Sequence, residues 1–597
     1  MEMMGINVDP NRDALFDPSG IKRLKESYMK ETETSPQERF AFVSKTFSSN
    51  WEHAQRLYDY SSKHWLSYST PILAYGRTER GLPISCYLNY IEDTAEGLVE
   101  TLSETNWLSM LGGGVGIGFG MRSSDDKSTG VMPHLKMYDA SSLAYRQGKT
   151  RRGSYAAYLD VSHPDILMFL EMRKPTGDQN FRCLNLHHGL NISDKFMQLI
   201  ERCMQDPEAD DNWDLVDPHN KEVVVETISG KELWQRILEM RMQTGEPYLH
   251  FIDTSNKYLP RWLKRYGLGI HQSNLCSEII LPTNKERTAV CCLSSVNLEY
   301  YDLWVKDRLF IKDIAEMLDN VLTFFIENAP DAISRAKYSA ERERSIGLGA
   351  LGFHAYLQKK KVRFESVAAK SLNVRMFRHI RKHMDNANRA LAEERGEAPD
   401  AEGTGFRFSH VMAIAPNASS SIIMGNTSPS IEPWRANAYR QDTLSGAYLN
   451  KNKYLDVLIK QKCKEDSSLD YDKIWREVIS NEGSCQQLKC LADEEKELFK
   501  TSMEIDQRWV IEHAADRQKF IDQAQSVNLF FRPDTNIKYL HAVHFLAWKL
   551  GLKTLYYCRS EKIGKADKVS RQIERKIIKE ISIPDIAQGE PCLACEG

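Results

Sequence analysis

The 597-residue chain has no run of the ~20 apolar residues that a membrane-spanning helix needs; its longest weakly polar run, Leu108 to Met121, is short and rich in glycine. The N-terminus, MEMMGINVDPNRD, lacks the basic segment and apolar core of a secretory signal. Cysteine is sparse, 12 in 597, which excludes a disulfide scaffold. Neither sign of charge dominates: 79 Lys and Arg face 82 Asp and Glu, a net of -3, so no global field draws the chain to nucleic acid or an anionic membrane. A site for small anions must be built locally. There is no internal repeat, no low-complexity tract and no Pro/Ser-rich linker. The expectation is a cytoplasmic globular chain dominated by one large domain.

Periodicity supplies the elements. Residues 1–35 are polar and loosely patterned, and Pro36 to about Lys63 reads as one amphipathic helix. Further helices are expected at 94–111, 311–340, 364–396, 491–520 and 536–550, and Ser229-Gly-Lys-Glu232 forms a capping box before another. Between them lie short apolar runs, Ala156–Asp160, Pro247–Phe251, Val411–Ala415, Ser526–Phe530 and Thr554–Tyr557, of the length of buried strands. Strands alternating with helices indicate an α/β protein with much parallel sheet. The basic stretch Lys562–Lys579 is interleaved with acids and reads as a solvated helix.

Two glycine motifs mislead. Gly112 to Gly120 contains no correctly spaced GxGxxG, and Gly148-Lys149-Thr150 lacks the first P-loop glycine because position 143 is leucine. Those glycines are as easily explained by close approach of backbone segments. The thiols say more. In an extended Asn274-Leu-Cys276-Ser-Glu278, alternate side chains share a face, which would bring an amide, a thiol and a carboxylate together; a buried cysteine beside an exposed glutamate is the plainer alternative. Cys291-Cys292 follows 15 residues after Cys276, Cys86 stands in Pro-Ile-Ser-Cys, and Cys592-Leu-Ala-Cys595 lies near the C-terminus. That last pair could be half a zinc site, but no second ligand pair is nearby; a dithiol exchanging with a disulfide elsewhere fits better. Tyr556-Tyr557 is an ordinary strand pair unless a thiol site is near, when adjacent phenols can pass an electron and a proton.

Taken together and in order, STP (69–71), SC (85–86), the glycine-rich segment, NLCxE (274–278), VCxLSSVNL (290–298), RSIGLGALGFH (344–354), PNASS (416–420), IDQAQSVNL (521–529), TLYY (554–557) and the terminal CxxC resemble the large catalytic subunit of class I ribonucleotide reductase. The resemblance implies a ten-stranded α/β barrel of two antiparallel five-stranded half-barrels, with a central finger loop carrying a radical cysteine. Residues 1–60 would be a helical N-terminal region, 61–583 the barrel and 584–597 a flexible redox tail. It implies that Cys276 is the transient thiyl, Glu278 the general base and Asn274 a substrate hydrogen-bonder, and that Cys86 and Cys291 supply the reducing equivalents. Cys291 is preferred to Cys292 on the family register. Cys592 and Cys595 would re-reduce that pair and be recharged by thioredoxin or glutaredoxin. Tyr556 and Tyr557 would relay the radical from a metal-containing small subunit, with no cofactor held permanently in this chain and no metal site of its own.

The same resemblance makes Thr70, Ser85, Ser419 and Ser420 contacts of the substrate diphosphate, near a helix start, with Asn417 where the family usually has threonine. Asp93, Arg122 and the loop Gln147 to Gly153, including Gln147, Lys149 and Arg151, map to a dNTP or ATP effector site, with Mg2+, at a homodimer interface. Only about 35 residues precede the first strong helix, so the expectation is a compact member without the N-terminal on/off domain that answers to dATP. The competing readings are a cobalamin-dependent reductase, for which the tyrosine pair is superfluous, an idle nucleotide-binding paralogue, and a redox or zinc protein that leaves NLCxE unexplained.

Overall fold

The computed structural model describes residues 2–3, 5–78, 81–145, 154–443 and 446–560. The expected strands at 156–160, 247–251 and 554–557 are found as Ser154–Asp160, Tyr248–Phe251 and Thr554–Leu555, and they belong to a larger set. In chain order the barrel strands are β1 (Cys86–Glu92), β2 (Gly114–Gly120), β3 (Ser154–Asp160), β4 (His187–Ile192), β5 (Tyr248–Phe251), β6 (Ala289–Asn297), β7 (Ile346–Leu351) and β8 (Thr554–Leu555).

Strands β1 to β5 lie side by side in order, all parallel. Strand β6 pairs antiparallel with β1 and parallel with β7. Parallel bridges Leu348–Met412 and Ile414–Gln525 continue that second half through segments 411–415 and 523–527. Segment 523–527 is tied to β8 by Tyr556 N–H to the Val527 carbonyl at 2.8 Å and by the Thr554 hydroxyl to the Gln525 carbonyl at 2.9 Å. Strand β8 closes the ring by pairing antiparallel with β5. Eight strands and two extended segments thus form a barrel of two parallel halves, opposed at the seams β1/β6 and β5/β8.

Alternation along the strands separates two apolar environments. On β1, Tyr87 and Ile91 pack in the large outer core under the helices, while Cys86 and Leu88 face a smaller interior cluster. The helical expectations need three corrections. Pro36–Lys63 is two helices, Pro36–Thr46 and Trp51–Ser62, the second capped by Asn50, whose Oδ1 accepts from His53 N at 2.9 Å. Region 311–340 breaks at Pro330 into Phe310–Asn328 and Ser334–Glu343. Region 491–520 breaks before Asp506, which caps Gln507–Gln518. A local cap or a proline ended each helix where hydrophobic periodicity ran on. Residues 1–35 are more ordered than their composition suggests, with a helix at Pro18–Ser27. Among the described residues, no helix is long and apolar enough to cross a membrane.

Candidate active site

A loop following β5 re-enters the barrel, and the glycines of β2 make room for it. A Cβ at Gly116 would collide with the Ser273 carbonyl oxygen, and one at Gly118 would lie 2.8 Å from Gln272 Oε1. Close backbone approach is therefore what this glycine-rich segment does. The loop is a tight turn and not the extended run expected from NLCxE. Asn274 N–H donates to the Ile279 carbonyl at 3.0 Å, Asn274 Oδ1 accepts from Ile279 N at 3.1 Å, and Ser277 takes a left-handed φ of 70°. This turn, and not strand alternation, brings the Asn274 side chain within reach of the Glu278 carboxyl. The Tyr158 hydroxyl donates to the Asn274 carbonyl at 2.8 Å, and the Ser526 hydroxyl contacts both the Cys276 carbonyl (2.5 Å) and Glu278 Oε2 (3.2 Å).

Cys276, Asn274 and Glu278 are all buried. Burial pushes the Glu278 carboxyl up to about 7, against the opposing influence of its own backbone N–H, the nearby Asn274 amide and the Ser526 hydroxyl. A carboxylate poised near neutrality is suited to taking a proton and returning it. The plainer alternative, an exposed glutamate, is not what the fold contains.

The turn divides the interior. On one side, Ile279 and Leu281 pack with Cys86, Cys291, Leu293, Ala413 and Ala415. Cys86 and Cys291 are direct partners across the β1/β6 seam. Directly opposed residues of an antiparallel pair project to the same face with Cβ atoms about 4.5–5.5 Å apart, near the span of a disulfide. Cys292, the next residue, faces the outer core, so strand alternation separates the doubled cysteines. Neither Cys86 nor Cys291 is in a disulfide.

On the other side, Leu275 and Cys276 pack with Ala156, Tyr158, Tyr248 and Tyr556, and Tyr557 lies against that cluster. The Tyr556 and Tyr557 rings are 4.3 Å apart between centroids, and Tyr248 lies 4.7 and 5.1 Å from them. Tyr557 is the outer member: the Arg559 guanidinium lies 4.0 Å from its ring centroid, and its hydroxyl is 3.4 Å from His187 Nδ1. A path of packed phenols therefore leads from the half-buried Tyr557 inward to the cysteine turn.

The hydroxyl-bearing segments are placed separately. Thr70 opens the short helix Thr70–Leu73, Ser85 precedes β1, and Ser419 and Ser420 lie buried in Ala418–Ile423. Asn417 precedes that helix at φ 55°, a left-handed conformation that asparagine tolerates better than a β-branched threonine. The N-terminal helix Pro18–Ser27 and the residue after it reach both groups: Arg23 Nη2 donates to Ser419 Oγ at 2.8 Å, and the Tyr28 hydroxyl is 3.3 Å from Thr70 Oγ1.

Asp93 and Arg122, both expected at the effector site, form an ion pair, Nε to Oδ2 at 2.7 Å, and His219 Nε2 lies 2.8 Å from the same oxygen. Burial raises the Asp93 carboxyl, but these bonds outweigh it and leave it below the usual range. Gln147, Lys149, Arg151, Cys592 and Cys595, with the stretch Lys562–Lys579, lie outside the described residues. Sequence reasoning missed Tyr158, Tyr248, His219 and Ser526. Ser526 falls inside IDQAQSVNL, but the motif does not say which groups it touches.

Comparison with known proteins adds the family. The family model "Ribonucleotide reductase, barrel domain" matches residues 84–404 and 398–558, and "Ribonucleotide reductase, all-alpha domain" matches residues 14–81. The chain is 50% identical to the ribonucleoside-diphosphate reductase large subunit of Invertebrate iridescent virus 3, covering 99% of this chain and 100% of that one. It is 38% identical to the large subunit of Invertebrate iridescent virus 6, covering 95% and 94%. A solved structure, the Actinobacillus ureae class Id ribonucleotide reductase alpha subunit, superposes with a TM-score of 0.80 at 33% identity, covering 92% of this chain and 98% of that one.

Proposed function

The chain belongs to the large catalytic subunits of class I ribonucleotide reductase, and from that premise we propose how its own residues reduce a ribonucleoside diphosphate to the 2′-deoxyribonucleotide. Membership brings a small partner subunit and a dimer of large subunits. The observation that carries the residue assignment is the position of Cys276, on a buried turn between the opposed thiols and the tyrosine path.

In this reading the radical, made by a metal-containing small subunit, arrives at Tyr557 and passes through Tyr556 to Cys276. The thiyl removes the 3′ hydrogen atom of the ribose. Glu278 takes the proton of the 3′ hydroxyl, and Asn274 hydrogen-bonds the sugar. As the 2′ hydroxyl leaves as water, Cys86 and Cys291 deliver two electrons and two protons and become a disulfide. Cys276 then returns a hydrogen atom to C3′. Thr70, Ser85, Ser419 and Ser420 hold the diphosphate. Cys592 and Cys595 reduce the disulfide by exchange and are recharged by thioredoxin or glutaredoxin. Asp93, Arg122, Gln147, Lys149 and Arg151 bind a dNTP or ATP effector with Mg2+, which selects the substrate. Residues 1–60 serve as the helical region and 61–583 bound the catalytic domain; of these and the proposed redox tail 584–597, residues 561–597 lie outside the described residues.

The test is a single turnover of pre-reduced protein with the small subunit and no external reductant, followed by digestion and disulfide mapping. A Cys86–Cys291 disulfide in an amount matching the deoxynucleotide formed supports the assignment. A disulfide through Cys292 overturns it.

A further inference from the structure

The two members of the opposed pair differ in depth: Cys291 is 1% exposed and Cys86 8%. The deeper thiol is held by a buried amide. Gln523, fully buried in IDQAQSVNL, places its side-chain Nε2 3.2 Å from Cys291 Sγ and 3.2 Å from the Ile346 carbonyl oxygen. Its Oε1 accepts from Ile280 N at 3.3 Å, just beyond the cysteine turn. This network fixes the amide orientation, because a backbone N–H can only donate and a backbone carbonyl can only accept. An N–H therefore points at the sulfur. The Cys291 thiol lies 3.9 Å from the Cys292 carbonyl, to which its own proton can point, leaving sulfur lone pairs toward the amide.

We infer that Gln523 is a catalytic residue of the thiol chemistry: its amide N–H stabilises negative charge on Cys291 Sγ, so that Cys291 is the leaving sulfur and Cys86 the sulfur attacked when their disulfide is reduced. This rests on the proposed reading that Cys86 and Cys291 form that disulfide. An incoming dithiol attacks Cys86 as its thiolate. The new S–S bond forms on Cys86, the Cys86–Cys291 bond breaks, and its electron pair goes to Cys291. The second thiol of the reductant then displaces Cys86, leaving a cyclic disulfide and two reduced cysteines, with both protons coming from the dithiol. Exchange is faster the better the departing thiolate is stabilised, and the less deeply buried Cys86 is the sulfur that a reductant reaches. Burial pushes the Cys291 thiol well above its ordinary range, and the Gln523 amide opposes that rise.

The test uses the full chain in a Cys592→Ser/Cys595→Ser background, oxidised at the pair and then reduced by dithiothreitol, or trapped by glutathione and mapped by mass spectrometry. Glutathione is expected on Cys86. Gln523→Met keeps the length and removes the donor, and it should slow cleavage about ten- to hundredfold, the worth of a hydrogen bond to a charged group. Gln523→Glu, which keeps an acceptor for Ile280, should slow it at least as much and serves if the methionine variant does not fold. An unchanged rate in the variants, even with a lowered Tm, marks the amide as purely structural and overturns the inference, as does glutathione on Cys291 in the parent. Absence of any Cys86–Cys291 disulfide after turnover overturns the functional reading itself, and the inference with it.

Discussion

The role proposed for Glu278, a base at the centre of a barrel, carries a stability cost that can be measured. Burial raises its carboxyl from 4.5 to about 7. Between those two values the folded chain holds a proton there that the unfolded chain has lost, so this group's contribution to stability falls as pH rises through that window and is level above it. A shift of that size corresponds to about 3 kcal/mol. Gln in place of Glu removes the titration and keeps the size. Glu278→Gln should therefore gain on the parent as pH rises from 5 to 8, reaching about 2–3 °C in Tm for a chain of this length, while losing nucleotide reduction. The assay is a pair of thermal scans at several pH values beside a CDP reduction assay. In the parent, turnover should rise with pH through about 7 as the base ionises. A Tm difference that does not change with pH would refute the argument from burial.

Cys291→Ser should abolish multiple turnover, whereas Cys292→Ser, in the outer core, should keep activity and lose at most about 1–2 kcal/mol; steady-state assay and denaturation separate them. Gly116→Ala should displace the cysteine turn, lowering kcat by roughly tenfold or more, the scale of a small misplacement of reacting groups, in a chain that still gives a cooperative melt. Arg122→Ala should weaken effector binding by breaking the pairing with Asp93, read as a higher effector concentration for half-maximal stimulation. Unaltered effector response would count against that site.

The residues of NLCxE and of TLYY could be nominated together because each group sits within a few residues, whereas Cys86 and Cys291 are brought opposite each other only by the fold. The strands were harder. Those of β1, β2, β4, β6 and β7 are buried on both faces or rich in glycine, so they lack the alternation that marks a half-exposed strand. The choice between Cys291 and Cys292 became physical only with the β1/β6 register, which sets Cys86 opposite one of them. Ser526 and Gln523 lie some 230 to 250 residues from the groups they touch, and nothing in a short window announces such a contact. The grouping of Asn274, Cys276 and Glu278 was expected from an extended run; a turn with a left-handed Ser277 takes its place, and no residue in the pentapeptide signals that conformation.

The radical path is tested most directly by CDP reduction with the purified chain, thioredoxin and an effector, with and without a cognate metal-containing small subunit, comparing the parent with Tyr557→Phe. Turnover is expected only with the small subunit and should be lost in the variant, because phenylalanine keeps the packing against Tyr556 and removes the hydroxyl that the proposed relay would oxidise. Turnover without the small subunit, or undiminished turnover in Tyr557→Phe, would contradict the assignment of this chain's tyrosines to radical transfer.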